Sequence, residues 1–295
     1  METPIITNDT VVKTHKTNLW KIRAKKMWAN KLAFFGLIVC LIMTLMSIFA
    51  PFITKYDPSY MDLTNITQPP SWEHLFGTDK LGRDVFAQIL YGGRVSIYVG
   101  VISSLGGTLI GVVLGCLAGY FGGKLDKLMI RFSEVFMTFP ELILVLVIVS
   151  LIGQGINNLI IVFIITGWMT TFRLVRNEFL SVREEMYVSV CHSFGIPKFS
   201  IIFKHILPNT MSPIIVAFTV NVAMFILSEA GLSFLGLGVP ITTPTWGNIM
   251  NAAKSIDVVT DYWWLWVAPG MAISLFVLAI NFLGDGLRDV LDPKQ

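Results

Sequence analysis

Glu134, Glu141 and Glu229 are acidic residues set in or beside long apolar runs. A charge at mid-depth in a bilayer costs at least about 2.5 to 3.5 kcal/mol, so such a residue faces a partner, a cavity or a path. Glu134 stands three residues from Arg131, which predicts a local ion pair. Glu141 follows Pro140, whose ring frees a backbone carbonyl one turn back and kinks a helix. Two readings stay open for Glu141, a pathway-lining acid or a structurally satisfied one, and the same two hold for Glu229 in its small-residue surroundings. His15 and His74 are isolated in polar segments, and His192 and His205 share one loop without a nucleophile or metal partner beside them. Cys40, Cys116 and Cys191 have no paired spacing and read as reduced packing residues. No G-x-x-x-x-G-K-[ST] phosphate loop occurs. The residues assign no catalytic group, metal or cofactor, so ATP-driven movement of a solute through this chain would need hydrolysis on another.

The elements that must hold these acids are membrane spans. Of 295 residues 54% are hydrophobic and 14% charged, with mean hydropathy +0.69, against roughly 25% charged in a soluble domain. Uncharged runs near 32–54, 95–123, 142–172, 206–228 and 262–284 each supply the roughly 20 residues that cross a bilayer core. A turn at Gly153, Gln154, Gly155, Asn157 and Asn158 divides the longest run. The spacing predicts an all-α polytopic membrane protein of six transmembrane helices, near 32–52, 96–120, 128–152, 159–179, 211–234 and 262–283. The first is too long, and too far from the start, for a cleaved signal peptide. With both termini inside, 17 of the 22 basic residues fall on the cytoplasmic side. The expected organisation is a cytoplasmic tail (1–31), a first span (32–52), an extracytoplasmic segment (53–94), a five-helix core (95–290) and a short cytoplasmic tail (291–295). A net charge of +3 is too small to point to nucleic acid.

Gly107, Gly111, Gly115 and Gly119 stripe one face of the second span and let a helix approach closely, either within the chain or across a subunit interface. The segment 230–253, although uncharged, is broken by glycines and prolines and reads as the end of the fifth span followed by an external or pore-lining loop. The cytoplasmic loop 180–208 predicts a helix over 183–194 with Gly195 at its C′ position, where Pro197 blocks continuation. A second short amphipathic helix leads to Pro208.

This loop resembles the EAA loop of binding-protein-dependent ABC importers, through Gly195 and Ile206-Leu207-Pro208. Ser189-Val190-Cys191 stands where that family has Glu-Ala-Ala. Further stretches resemble the C-type permease subunit of the peptide and nickel importers: Asn30 to Ala33, Phe49 to Phe52, Phe76 to Val85, Leu232 to Gly238, Pro244 to Asn248 and Asn281 to Pro293. The resemblance implies a type I ABC importer permease fold in a bacterial inner membrane, surrounded by lipid. It further implies a heterodimer with a homologous permease, two cytoplasmic ATPase subunits, and an extracytoplasmic solute-binding protein. Peptide is the implied substrate, with nickel or another metal chelate as the alternative. The coupling residues it implies are Ser189, Val190, Cys191, His192, Ser193, Phe194, Gly195 and Pro208. A secondary transporter would need its own ion site, hinted at only by Pro140 and Glu141, and an intramembrane enzyme would need a nucleophile or metal set within the spans.

Overall fold

In the computed structural model, Trp28 and residues 30–291 are described; the remainder of the two expected tails lies outside the described residues. Helix α1 (Lys31–Ile48) is started by Asn30, whose side chain accepts the Ala33 N–H at 3.2 Å. It buries Ala33, Gly36, Cys40 and Ser47, one helical face, and leaves the rest of its surface apolar and outward. Pro51 then sits in the first turn of a short helix, α2 (Ala50–Ile53).

Helix α3 (Val85–Phe121) begins ten residues before the expected boundary at 95. Asp84 is the reason, since its carboxylate accepts the Ala87 N–H at 2.6 Å and caps the helix there. Arg94 does not break the apolar run, because its guanidinium donates to the terminal carbonyls of α1, at 2.5 Å to Ser47 and 2.7 Å to Ile48.

The expected third span, 128–152, is not one helix. Helix α4 (Gly123–Met137) and helix α5 (Glu141–Ile152) meet at an angle of 84°. Pro140 lacks the N–H that would continue α4 and biases Phe139 away from helical geometry. Twelve residues make α5 about 18 Å long, short of a bilayer core of about 30 Å. Arg131 and Glu134 pair at 2.8 Å on α4, as their spacing predicts, and Arg176 grips Asp126 with two nitrogens, tying α4 to the next span.

Helix α6 (Ile156–Val182), α7 (Met186–Ser193), α8 (Lys198–Ser200), α9 (Met211–Leu235), α10 (Trp246–Met250), α11 (Ile256–Asp261) and α12 (Trp264–Leu291) complete the chain. Among the described residues five helical runs are long and apolar enough to cross a membrane, or six if the bent α4–α5 pair counts as one. One of the five is Lys198–Leu235, because a wide turn over Ile201–Ile206 and a tight turn over Leu207–Thr210 join α8 to α9. Pro208 explains the irregularity: it has no N–H for the regular ladder, and the helix widens and tightens around it instead of stopping.

Helices α1, α3, α9 and α12 pack around Trp246, Ile226 and Phe276, while α3, α5, α6 and α9 pack around the stacked pair Phe163 and Phe225, ring centroids 5.0 Å apart. The glycine stripe of α3 serves packing within the chain. A Cβ on Gly111 would stand 2.7 Å from Thr171 Cβ, and one on Gly119 would stand 2.6 Å from Phe179 Cβ, both on α6.

Candidate functional site

Three places deserve chemical description: the loop 180–208, the surroundings of Glu229, and the segment before α3. In the loop, α7 starts later than 183 and ends at Ser193, with Phe194 as its cap. Gly195 takes φ +71°, its N–H donates to the His192 carbonyl at 3.0 Å, and the Ile196 N–H donates to the Cys191 carbonyl at 3.1 Å. These are the two bonds of a Schellman stop, which satisfies the last carbonyls of the helix. Val188 and Cys191 are buried against Val175, Phe179 and Ile202, so one face of α7 is fixed to the adjoining ends of α3, α6 and the α8–α9 run. Ser189, Val190, His192, Ser193, Phe194 and Gly195 are exposed. Met186, Val190 and Phe194, spaced by four, form an outward apolar stripe, with Met186 and Phe194 each 81% exposed. His192 leans on Tyr120, whose hydroxyl is 3.3 Å from Nε2. Pro208 is exposed at the irregular turn, and the neighbouring Asn209 amide reaches the Tyr187 hydroxyl at 3.3 Å.

Glu229 is fully buried on α9, and no described cation meets its carboxylate. Its partners are hydroxyls. Ser96 Oγ on α3 donates to Oε2 at 2.9 Å and accepts the Trp246 N–H at 3.2 Å. Ser233 Oγ donates to Oε1 at 2.8 Å and accepts the Val239 N–H at 3.3 Å. Two relays thus run from the backbone of residues 236–250 through serines to a single acid. The residues around it explain the motif Pro244 to Asn248. Thr245 caps α10, Trp246 Nε1 donates to the Ile89 carbonyl at 3.0 Å, and Asn248 Nδ2 lies 2.9 to 3.2 Å from the carbonyls of Val239, Pro240 and Thr243. Gly247 permits the close approach, since a Cβ there would stand 2.6 Å from Ala230 Cα. Glu229 is therefore enclosed in the subunit, whereas Glu141, at the α4–α5 bend, is exposed in the first turn of α5. The sequence did not mark Ser96, or Ser233 within the stretch Leu232 to Gly238, as partners of Glu229.

The segment before α3 is ordered by side chains. Asp79 accepts from the backbone N–H groups of Leu81 and Arg83, from Arg83 Nε at 2.7 Å and from Gln88 Nε2 at 3.1 Å. His74 is not isolated, as the sequence reading had it: Nδ1 lies 2.8 Å from Asp84 Oδ2, the same carboxylate that caps α3. Lys80 Nζ reaches Asp257 on α11 at 2.6 Å, and that hydrogen bond, with the nearby positive charge, holds the Asp257 carboxyl below the usual range. Trp264 Nε1 donates to the Thr78 carbonyl at 3.2 Å. The three cysteines are free and buried.

The geometry has counterparts in known proteins. Residues 111–295 match the family described as binding-protein-dependent transport system inner membrane component, and residues 18–70 match the N-terminal transmembrane domain of oligopeptide transport permease C. The oligopeptide transport system permease protein OppC of Bacillus subtilis is 39% identical over 277 residues, covering 94% of this chain and 90% of that protein. The dipeptide transport system permease protein DppC of the same organism is 41% identical, covering 95% of this chain and 86% of that protein. The glutathione transport system permease protein GsiD of Pectobacterium atrosepticum is 39% identical, over 88% of this chain and 85% of that protein. A structure of the MetNI methionine ABC transporter, inward facing, has a chain that superposes with TM-score 0.58 at 17% identity, covering 70% of this chain and 97% of that one, a likeness of fold.

Proposed function

This chain belongs to the family of binding-protein-dependent transport system inner membrane components, and from that premise we infer that it is the C-type permease subunit of an ABC importer carrying peptides. The observation that carries the peptide reading is the likeness, across more than nine-tenths of the chain, to permeases of an oligopeptide and a dipeptide system. The subunit is non-catalytic. It would pair with a homologous permease, take its energy from two cytoplasmic ATPase subunits and receive peptide from an extracytoplasmic binding protein.

The coupling role falls to α7. The distribution of basic residues supports a cytoplasmic position for this loop and for both termini, with residues 53–84 and 236–263 outside. A helix anchored on one face by Val188 and Cys191 and bare on the other at Met186, Val190 and Phe194 suits insertion into a cleft on an ATPase. Without the acid of the family pattern, apolar contact carries the docking. ATP binding that closes the ATPase pair would then push α7, and through Gly195 and Pro208 the α8–α9 run, between inward-open and outward-open arrangements.

The test is reconstitution into proteoliposomes with the cognate permease, ATPases and binding protein, followed by uptake of labelled dipeptides, longer peptides and a nickel chelate. ATP-dependent accumulation of peptide is expected. Accumulation of the nickel chelate alone would replace the peptide reading, and uptake without the ATPase subunits would overturn the importer reading.

A further inference from the structure

Between α1, the start of α12 and the segment leading into α3 lies a cavity of about 500 Å³. Ser47, at the end of α1, and Trp263, just before α12, place it at one end of the spans, the level where tryptophans collect in membrane proteins. Its floor is Ile89, Leu90, Trp246, Trp264 and Ala272, all buried. Its rim is Leu75, Trp263, Met271 and Leu275, between 41% and 65% exposed.

The walls have almost nothing to offer a polar ligand. Ser47 carries the one side-chain hydroxyl among the lining residues. The indole N–H of Trp246 is spent on the Ile89 carbonyl, and that of Trp264 on the Thr78 carbonyl. A peptide or a sugar would lose its hydrogen bonds to water without replacement, at a cost of kilocalories per group. Water fares no better, because a buried water needs two to four polar partners.

We propose that this cavity binds an acyl chain of a membrane lipid. Continuity of surface identifies the occupant. Met271, Leu275 and Leu278 lie along one face of α12, all exposed and apolar, and two of them form the cavity mouth. Met43, Met46 and Ser47 of α1 form the other wall, while Leu41, Leu45 and Ile48 on the far side of that helix are exposed and apolar. Both helices are spans, and their outward faces are apolar apart from the hydroxyls of Ser274 and Thr44, groups that a helix can satisfy with its own backbone, so hydrocarbon is the solvent that meets them, and the cavity opens from that solvent. Pro70 and Leu75 of the extracytoplasmic segment close its outer end. The chain would enter sideways from the bilayer and fill space between α1 and the body of the subunit.

The experiment reconstitutes the assembled transporter in nanodiscs of phosphatidylethanolamine and phosphatidylglycerol, doped with a phosphatidylcholine that carries a diazirine on one acyl chain. After irradiation, adducts are mapped by peptide mass spectrometry. Adducts are expected on the floor, at Ile89, Leu90 or Ala272, as well as on outward Leu41 and Leu45. Ala268→Phe, which projects a ring from the cavity wall, should abolish the floor adducts and leave those on Leu41 and Leu45. Should that variant not assemble, Ala268→Leu and the wild-type pattern still decide. Adducts on Leu41 and Leu45 with none on the floor of the wild type would overturn the proposal. So would floor adducts that survive filling the cavity.

Discussion

Gly195 and Glu229 show how different a single residue's contribution can be. A Cβ on Gly195 would meet nothing within 4 Å, so size is not the constraint there; the φ of +71° is. Valine in that conformation costs roughly 1 kcal/mol or more, while asparagine visits it readily. Gly195→Val is therefore expected to leave insertion and permease pairing intact and to weaken ATPase docking or uncouple hydrolysis from uptake, with Gly195→Asn close to wild type. Co-purification of the ATPases, hydrolysis stimulated by loaded binding protein, and uptake, measured together, check this. Wild-type behaviour of the valine variant in all three would remove α7 as the coupling element. Glu229 acts by the reverse logic. Glu229→Ala leaves the Ser96 and Ser233 hydroxyls without an acceptor in a buried site, at about 1–3 kcal/mol for each unsatisfied group. Glu229→Gln keeps one acceptor oxygen and should fall between alanine and wild type. The thermal midpoint of the purified complex should rank the three in that order, and labelling of a cysteine at Thr243 should rise as it falls. The C′ position of Gly195 was legible in the sequence, and so was Glu229 as an acid in need of a partner, but Ser96 is 133 residues from Glu229 in the chain and nothing local marks it as that partner.

At the scale of elements, hydropathy located the spans well and their shapes poorly. The spans near 32–52, 159–179 and 211–234 have close counterparts in α1, α6 and α9, since an uncharged run of about 20 residues has few other uses. The bend between α4 and α5 was hidden for the same reason: an apolar average over Leu128 to Ile152 does not register direction, and Pro140 was read as a kink where it is a corner. The start of α3 was missed because Arg94 looked like an end of apolarity, and only the structure supplies the α1 carbonyls that receive it. The glycine stripe was legible as close packing, with its partner left open. Its geometry makes a graded prediction. A Cβ on Gly107 would stand 3.4 Å from the Gly167 carbonyl carbon, ordinary contact, whereas one on Gly111 meets Thr171 and Trp168 atoms at 2.7 Å. Gly107→Ala should be nearly neutral, and Gly111→Ala should lose about 1–3 kcal/mol through overpacking. Thermal unfolding in one detergent separates them; equal effects would contradict the α3–α6 interface.

For the whole molecule, the first question is which side faces which. The bond from Lys80 to Asp257 and the bond from Trp264 to Thr78 hold residues 53–84 and 251–264 at one end of the bundle. Single cysteines at Thr67 and Asn251 should therefore react together from outside intact cells, and one at Lys198 only after permeabilisation. Labelling of the Lys198 position in intact cells would invert the topology. The Lys80–Asp257 pair also carries a pH signature. A carboxyl whose pKa is lowered in the folded state stabilises above its ordinary value, about 3.9, and loses that contribution as pH falls through the lowered one. Lys80→Ala should thus speed proteolysis of residues 53–84 near neutrality and make no difference in strong acid. The run Lys198–Leu235 joins the two ends of the molecule in one piece. Its regular part, Met211–Leu235, rises about 1.5 Å per residue and carries Glu229 about 27 Å from Met211. Swinging such a lever by about ten degrees at the α7 end displaces the far tip by roughly 5 Å, more than the serine relays can stretch. If α7 is the coupling helix proposed above, a push on it and the fastening of residues 236–250 would be opposite ends of a single stroke.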